Sequence, residues 1–159
     1  MIELKEAETK EGYNLATTLF KEYVSQLGID LSFQNFNNEL ENIAVEYGTP
    51  DGTIFIAYNN DEPVGCFGVR KLENSICELK RMHVHDKARG LGVGKQLLKK
   101  SFEAGKQLGY SKMRLDTLST MHNALNLYKQ AGFYEIEPYR FNPIEDTSIL
   151  RLILMKTNL

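Results

Sequence analysis

Three strand-like stretches follow one another between Thr53 and Val84, and nothing else in the chain limits the fold so tightly. TIFIAY (Thr53 to Tyr58) and PVGCFGVRKL (Pro63 to Leu72) flank the polar turn Asn59-Asn60-Asp61, which marks a hairpin. SICELKRMHV (Ser75 to Val84) adds a third strand to the run. The chain then changes character. A turn packed with glycine leads into a helix that keeps Val93, Leu97, Leu98 and Leu108 inward, with Gly109 as its stop, and KMRLDTL follows as another strand. A chain that joins some strands by tight turns and others by a helix must build a mixed sheet.

The flanking segments fit this plan. IELKEA (Ile2 to Ala7) is a short first strand. Thr9 can cap a helix carrying Leu15, Leu19, Tyr23 and Leu27, which Gly28 ends. Ser32 can cap a second helix with Phe33, Phe36, Leu40 and Ile43 on one face. TMHNALNLYKQAG is a short helix capped by Ser119 or Thr120 and closed at Gly132; FYEIEPY and SILRLILMK complete the strands. The order predicts an α/β chain, in the α+β sense of a mixed sheet with helices on both faces. A length of 159 residues suits a single domain spanning 1–159.

The glycine turn asks for a reason. Gly90, Gly92 and Gly94 stand where a helix is about to begin. A helix N-terminus presents free N–H groups and a partial positive charge, and glycines let a bulky anion reach them. Three phosphate-binding patterns compete. A P-loop needs G-x-x-x-x-G-K-[ST], but Gln96 follows Gly94-Lys95 and Arg89 stands at the first glycine position. A dinucleotide fingerprint would need glycine where Lys95 stands. The pattern R/Q-x-x-G-x-G/A is matched in full by Arg89-Gly90-Leu91-Gly92-Val93-Gly94.

That match is specific. The sequence resembles the GNAT family of acetyl-CoA-dependent N-acetyltransferases. The preceding strand ends in MHV, as the family's cofactor-binding strand ends, and ALNLYKQAGF (Ala124 to Phe133) resembles the family's A-x-x-L-Y-x-x-x-G-F helix. The resemblance is sharpest from Glu78 to Phe133. It implies the GNAT acyl-CoA N-acyltransferase fold, with a central, mostly antiparallel sheet, and direct transfer of an acetyl group from acetyl-CoA to a primary amine without an acyl-enzyme.

It also implies roles. The backbone of Met82, His83 and Val84 would pair with the pantetheine amides, with the Val84 N–H polarising the thioester carbonyl. Arg89, Gly90, Leu91, Gly92, Val93, Gly94 and Lys95 would hold the pyrophosphate. Tyr128 matches the tyrosine beside the thioester sulfur. A thiol ionises near about 8.5 and a phenol near about 10, so proton donation to the departing thiolate is well matched. Glu78 lies six residues before Val84, where one branch of the family keeps its catalytic base; the alternative is a strand residue salt-bridged to Lys80 or Arg114. The family's usual cofactor-contacting asparagine is replaced by Met121, with Asn123 as a substitute two residues on.

Strict alternation puts Glu78, Lys80, Met82 and Val84 on one face of the strand and Leu79, Arg81 and His83 on the other; the bulge common to the family here would shift that register. His83 and His85 are alternative bases or a pair of metal ligands, but without a further Cys/His cluster no metal is expected. His122 reads as a surface residue. The acceptor is a small-molecule amine or a protein or peptide amine. Tyr23, Phe33, Phe36, Tyr139, Arg140, Phe141 and Asn142 would shape its pocket, and Lys80, Arg81 and Arg140 could recognise a carboxylate on it.

Composition narrows the rest. A net charge of −2 and a pI of about 6.0 speak against nucleic-acid binding by bulk electrostatics. No apolar run approaches the roughly 20 residues that span a bilayer, and MIELKEAETK has no apolar core of a signal peptide. Cys66 and Cys77 lack C-x-x-C spacing and read as buried reduced thiols in a cytoplasmic protein, a disulfide remaining the alternative. Many members of the family dimerise, and the terminal strand offers an edge to a second copy. Two other classes compete with an enzyme: a non-catalytic acyl-CoA-binding or regulatory protein on the same fold, and a nucleotide-binding module.

Overall fold

The computed structural model describes residues 1–28, 35–118, 121–137 and 147–153. Ser32, Phe33, Ser119, Thr120, Tyr139, Arg140, Phe141 and Asn142 lie outside the described residues.

Strand β1 (Ile2–Glu6) precedes helix α1 (Lys10–Leu27) and two short helices, α2 (Phe36–Glu41) and α3 (Ile43–Glu46). Strands β2 (Thr53–Asn59), β3 (Glu62–Glu73) and β4 (Ile76–Val84) form the predicted run. A 3-10 turn at Asp86–Ala88 then leads to α4 (Val93–Gln107), β5 (Lys112–Leu118), α5 (His122–Gln130), β6 (Tyr134–Glu135) and β7 (Thr147–Ile153). The strands form one seven-stranded sheet in the order β1-β2-β3-β4-β5-β7-β6. Among the described residues, β4 and β5 are the one parallel pair and all other neighbours are antiparallel. The expected mixed sheet is thus a mostly antiparallel one.

Local chemistry explains most boundaries. The Thr9 hydroxyl accepts from the Gly12 N–H at 3.1 Å and opens α1, and Gly28, in the left-handed region at φ 66°, ends it. Asn60 and Asp61 take φ 50° and 69°, the left-handed pair that matches a two-residue hairpin to strand twist.

Three expectations need correction. In α1 the inward residues are Ala16, Leu19 and Phe20, while Leu15 is 37% exposed. Steps of four drift around a helix of 3.6 residues per turn, so a stripe drawn at that spacing leaves the core at one end. The second helix is broken at Asn42, whose side-chain amide donates to the Asn38 carbonyl at 3.0 Å and competes with the helical ladder. The terminal strand is not last in the sheet: β7 lies between β5 and β6, although the two-residue β6 pairs only with Leu150 and Arg151.

Helices cover both faces. One core joins Phe67, Val69, Cys77, Leu79, Leu97, Leu98, Phe102, Met113, Leu115 and Tyr128 beneath α4 and α5. The other joins Leu19, Phe20, Ile43, Tyr47, Ile54, Ile56 and Cys66 beneath α1 and α3. The cysteines are free and buried, one in each core. Burial drives both thiols upward, Cys77 to about 12, so neither is a reactive thiolate.

Candidate active site

Strand β4 has two neighbours at its start and one at its end. It pairs with β5 only through Ile76, Cys77 and Glu78, opposite Lys112, Met113 and Arg114. On its other side it pairs with β3 as far as Val84. The β4–β5 pairing thus stops short of Met82–Val84 among the described residues, where backbone groups can pair with an extended ligand.

A bulge shapes the same segment. Cys66 faces His83 and Gly68 faces Lys80, so Phe67 alone opposes Arg81 and Met82. Arg81 takes φ 56°, a left-handed conformation that a non-glycine residue adopts at a cost of roughly 1–2 kcal/mol. Strict alternation fails here. Glu78, Lys80, Arg81 and His83 all face the α1 side, and Met82 and Val84 join Cys77 and Leu79 on the α4 side.

At the strand's end the chain turns through Arg89–Gly92 into α4. Gly90 and Gly92 have φ 83° and 77°, values that explain glycine at both positions. Gly92 precedes α4 with no side-chain cap, so the first-turn N–H groups of α4 are left for another partner. Arg89, Gly90, Leu91, Gly92 and Lys95 are exposed, and Val93 is buried as the helix's first anchor. Gly94 faces α5 and the end of β4: an added Cβ would lie at ordinary contact distance, 3.5 Å from Leu127 Cδ2 and 4.0 Å from Met82 Cε and Val84 Cγ2. The glycine turn, the strand end and α5 thus meet at one point.

That contact brings Tyr128 in, one residue beyond Leu127. Tyr128 is buried, its ring 5.7 Å from Phe133 in an edge arrangement. Burial first, and the neighbouring Tyr23 second, push its phenol well up, so it is a proton-bearing group at neutral pH. The Tyr23 phenol is also raised, mainly by burial, with Arg81 pulling the other way. Its ring lies 5.9 Å from that of His83. Tyr23 therefore stands at the end of β4 on the α1 side. Asn123 is exposed in the first turn of α5, and His122 beside it is exposed as expected.

Glu78 is 1% exposed. Its carboxylate is 3.4 Å from Arg70 Nε and 3.8 Å from Lys80 Nζ. Burial is the main force lowering Lys80, to about 7, against the opposing pull of Glu78. Sequence reasoning missed Glu39, the 2%-exposed partner of Arg81. Two guanidinium nitrogens of Arg81 donate to its two oxygens at 3.1 and 2.8 Å, and the Tyr47 hydroxyl donates at 2.9 Å. Burial alone would raise the Glu39 carboxyl; the hydrogen-bonded Arg81, with Lys80 and Arg70, more than reverses that and holds it low. Two nitrogens of Arg81 are thus already engaged, which weakens the idea that it binds a substrate carboxylate. A buried acid on a short helix leaves no motif, so only its place among apolar neighbours could have signalled Glu39.

His83 and His85 acquire a third neighbour that the sequence hides. Glu22, on α1, places its Oε2 3.6 Å from His83 Nε2 and 3.3 Å from His85 Nε2. Burial, then His85, lower the His83 imidazole, and Glu22 opposes them.

Comparison with other proteins agrees with this geometry. Residues 12–133 match the acetyltransferase (GNAT) family. An uncharacterized N-acetyltransferase of Schizosaccharomyces pombe is 40% identical over 140 residues, covering 87% of this chain and 86% of its own. A GNAT-family acetyltransferase structure from Staphylococcus aureus superposes with a TM-score of 0.78 at 26% identity, covering 97% of this chain and 99% of its own. An acetyltransferase from Salmonella typhimurium, solved with its cofactor acetyl-CoA, has a TM-score of 0.76 at 16% identity, with 97% and 94% covered, and so shares the fold.

Proposed function

The chain belongs to the GNAT family and is an acetyl-CoA-dependent acyltransferase; from that premise we propose that it transfers the acetyl group directly to a primary amine at the open edge of β4. The observation that carries this reading is the end of β4–β5 pairing at Glu78, beside a glycine turn and an uncapped helix.

In this reading acetyl-CoA lies along Met82, His83 and Val84 as an added strand, and the Val84 N–H polarises the thioester carbonyl. The turn from Arg89 through Gly90, Leu91, Gly92, Val93 and Gly94 to Lys95 receives the pyrophosphate, helped by the α4 dipole. Asn123, at the start of α5, is the proposed polar contact on the far side. The amine attacks the carbonyl carbon, the carbonyl re-forms as the carbon–sulfur bond breaks, and the Tyr128 phenol gives its proton to the thiolate.

Glu78 is the proposed acceptor of the proton that the amine gives up. Its ion pairs with Arg70 and Lys80 fix the side chain in place. An alkyl amine holds its proton up to about 10.4, so the acceptor matters most near neutrality. The acceptor class is a small-molecule amine or a protein or peptide amine. The proposed unit is one catalytic domain over 1–159, and the two reduced thiols fit a cytoplasmic setting. No helix among the described residues is long and apolar enough to cross a membrane.

The test has two stages. Acetyl-CoA should raise the melting temperature, since a ligand that favours the native form stabilises it. Thiol release should then appear with some members of an amine panel. Tyr128→Phe should lower kcat about 10²-fold or more with little change in acetyl-CoA binding. Glu78→Gln should lower kcat at neutral pH and recover at high pH, where the amine deprotonates itself. Stabilisation without thiol release across the panel would mark a non-catalytic acyl-CoA-binding protein, and no stabilisation would refute the reading.

A further inference from the structure

Glu22 lies within ion-pair distance of both His83 and His85, yet the contacts lack the geometry of good hydrogen bonds. Glu22 Oε2 and His83 Nε2 are buried atoms with no hydrogen-bond partner. His83 is 4% exposed, and burying a polar nitrogen without a partner is costly. Yet both atoms point into one small volume, joined there by His85 Nε2. One ligand atom from each residue lies within 4.8 Å of the other two. Buried polar atoms that converge without hydrogen-bonding one another leave room for a shared ligand.

The spacing suits a metal ion. Nitrogen and oxygen ligands about 2.0–2.1 Å from a tetrahedral zinc ion lie roughly 3.3–3.4 Å from each other. The Glu22–His85 and Glu22–His83 separations are 3.3 and 3.6 Å. The third edge, between the histidines, is no longer than 4.8 Å and would shorten when an ion is held. Two imidazoles and one carboxylate form the set that binds zinc while leaving a fourth position open, and it favours zinc, cobalt or nickel over magnesium or calcium.

We propose that Glu22, His83 and His85 form a three-ligand site for a divalent ion of the zinc type at the α1 face of β4. The backbone geometry supports it independently of acetyl transfer. His83 and His85 are two apart, on either side of Val84, and Glu22 comes from the helix packed over that strand end. The ion would sit beside Tyr23, whose ring neighbours His83. Its open position is available to water or to a donor atom of a bound molecule.

The chain has three histidines in all, so the site can be tested cleanly. Tag-free, full-length protein is stripped with a chelator and titrated calorimetrically with Zn²⁺, Co²⁺ and Mg²⁺. The expected result is one Zn²⁺ per chain, a higher melting temperature with Zn²⁺, no Mg²⁺ binding, and the visible absorption of tetrahedral Co²⁺. Glu22→Gln and His85→Ala, at half-buried positions, should each cost more than about a hundredfold in Zn²⁺ affinity, because even ligand-supporting residues are typically worth 10–100-fold. His122→Ala should leave binding unchanged. Melting of each metal-free variant establishes that it is folded, and the Co²⁺ spectrum of the unmodified protein needs no variant. Absence of a stoichiometric Zn²⁺ site, or a site that survives both Glu22→Gln and His85→Ala, overturns the proposal.

Discussion

The two faces of the sheet are both buried, but different forces bury them. Beneath α4 and α5 the core is aliphatic and aromatic, from Phe67 and Val69 through Leu97 and Phe102 to Met113 and Leu115. Beneath the α1–α3 side, apolar packing shares the space with buried charge. Glu39, Glu78, Lys80 and Arg81 are all buried, with Arg70 and Glu46 at the margin. Arg70 lies 4.0 Å from Glu39, 3.1 Å from Glu46 and 3.4 Å from Glu78. The apolar face is built from parts that shape can replace. On the charged face each member is needed by its neighbours. The bulge creates this difference locally, because it turns Lys80 and Arg81, adjacent in sequence, to the same side.

Breaking the charged face should therefore cost most. Glu39→Ala removes two carboxylate oxygens that accept from Arg81 and the acceptor of Tyr47, taking the bidentate Glu39 counter-charge away from a buried guanidinium. The expected loss is about 3–5 kcal/mol, read as a lower midpoint in denaturant. Replacing Glu39 and Arg81 together by methionine should recover much of it, since an apolar pair leaves no stranded charge. The pH dependence has a definite sign. The Glu39 carboxyl is held below its ordinary value in the folded chain, so its contribution is complete above about 4.5 and is lost as pH falls through the lower folded value. Acid should thus weaken the unmodified protein more steeply than Glu39→Ala.

On the opposite face the expected loss is slightly smaller and of another kind. Leu97 is fully buried on α4, and Leu97→Ala leaves a cavity worth about 2–5 kcal/mol. No titratable group is removed, so the difference from the unmodified protein should stay flat through the acid range. A slope there like that of Glu39→Ala would erase the distinction between the two faces.

This contrast also explains what could be read from the chain beforehand. The apolar face announces itself, since Val93, Leu97 and Leu98 keep helical spacing and the hairpin turn shows in Asn59-Asn60-Asp61. The glycine turn was legible for a similar reason: left-handed backbone at Gly90 and Gly92 needs glycine, and the need is local. The charged face was legible only in part: a Glu78–Lys80 ion pair was the alternative reading of Glu78, and the structure contains it. Glu22 and Glu39 look like ordinary helix-surface acids, and only the packing of α1 and α2 across β4 brings them to His83, His85 and Arg81. The register of β4 hinged on a bulge at Arg81, which the family resemblance anticipated but the local residues do not mark.

Each face also buries a hydroxyl, which allows a finer test. Tyr47→Phe keeps the ring that packs 5.5 Å from Phe20 and removes one donor to the Glu39 carboxylate. Hydrogen bonds to charged groups contribute about 1.5–3 kcal/mol, and Tyr47→Phe should lose an amount in that range. Combined with Glu39→Ala the change should add little, because the two share one interaction.

Ser101, on α4, is the counterpart and should matter least. It is fully buried, yet its hydroxyl donates at 2.6 Å to the Leu98 carbonyl of its own helix. The remaining close polar neighbour is the Met113 sulfur at 4.0 Å, a weak acceptor. Ser101→Ala removes the donor together with its need for a partner, and Leu98 keeps its place in the helical ladder. Alanine is also the better helix former. The melting curve should shift by less than about 1 kcal/mol in either direction. A loss as large as that of Tyr47→Phe would mean that the α4 face depends on polar contacts too. A hydroxyl would then be worth the same on both faces, and the ion cluster would not be what makes the α1 side unforgiving.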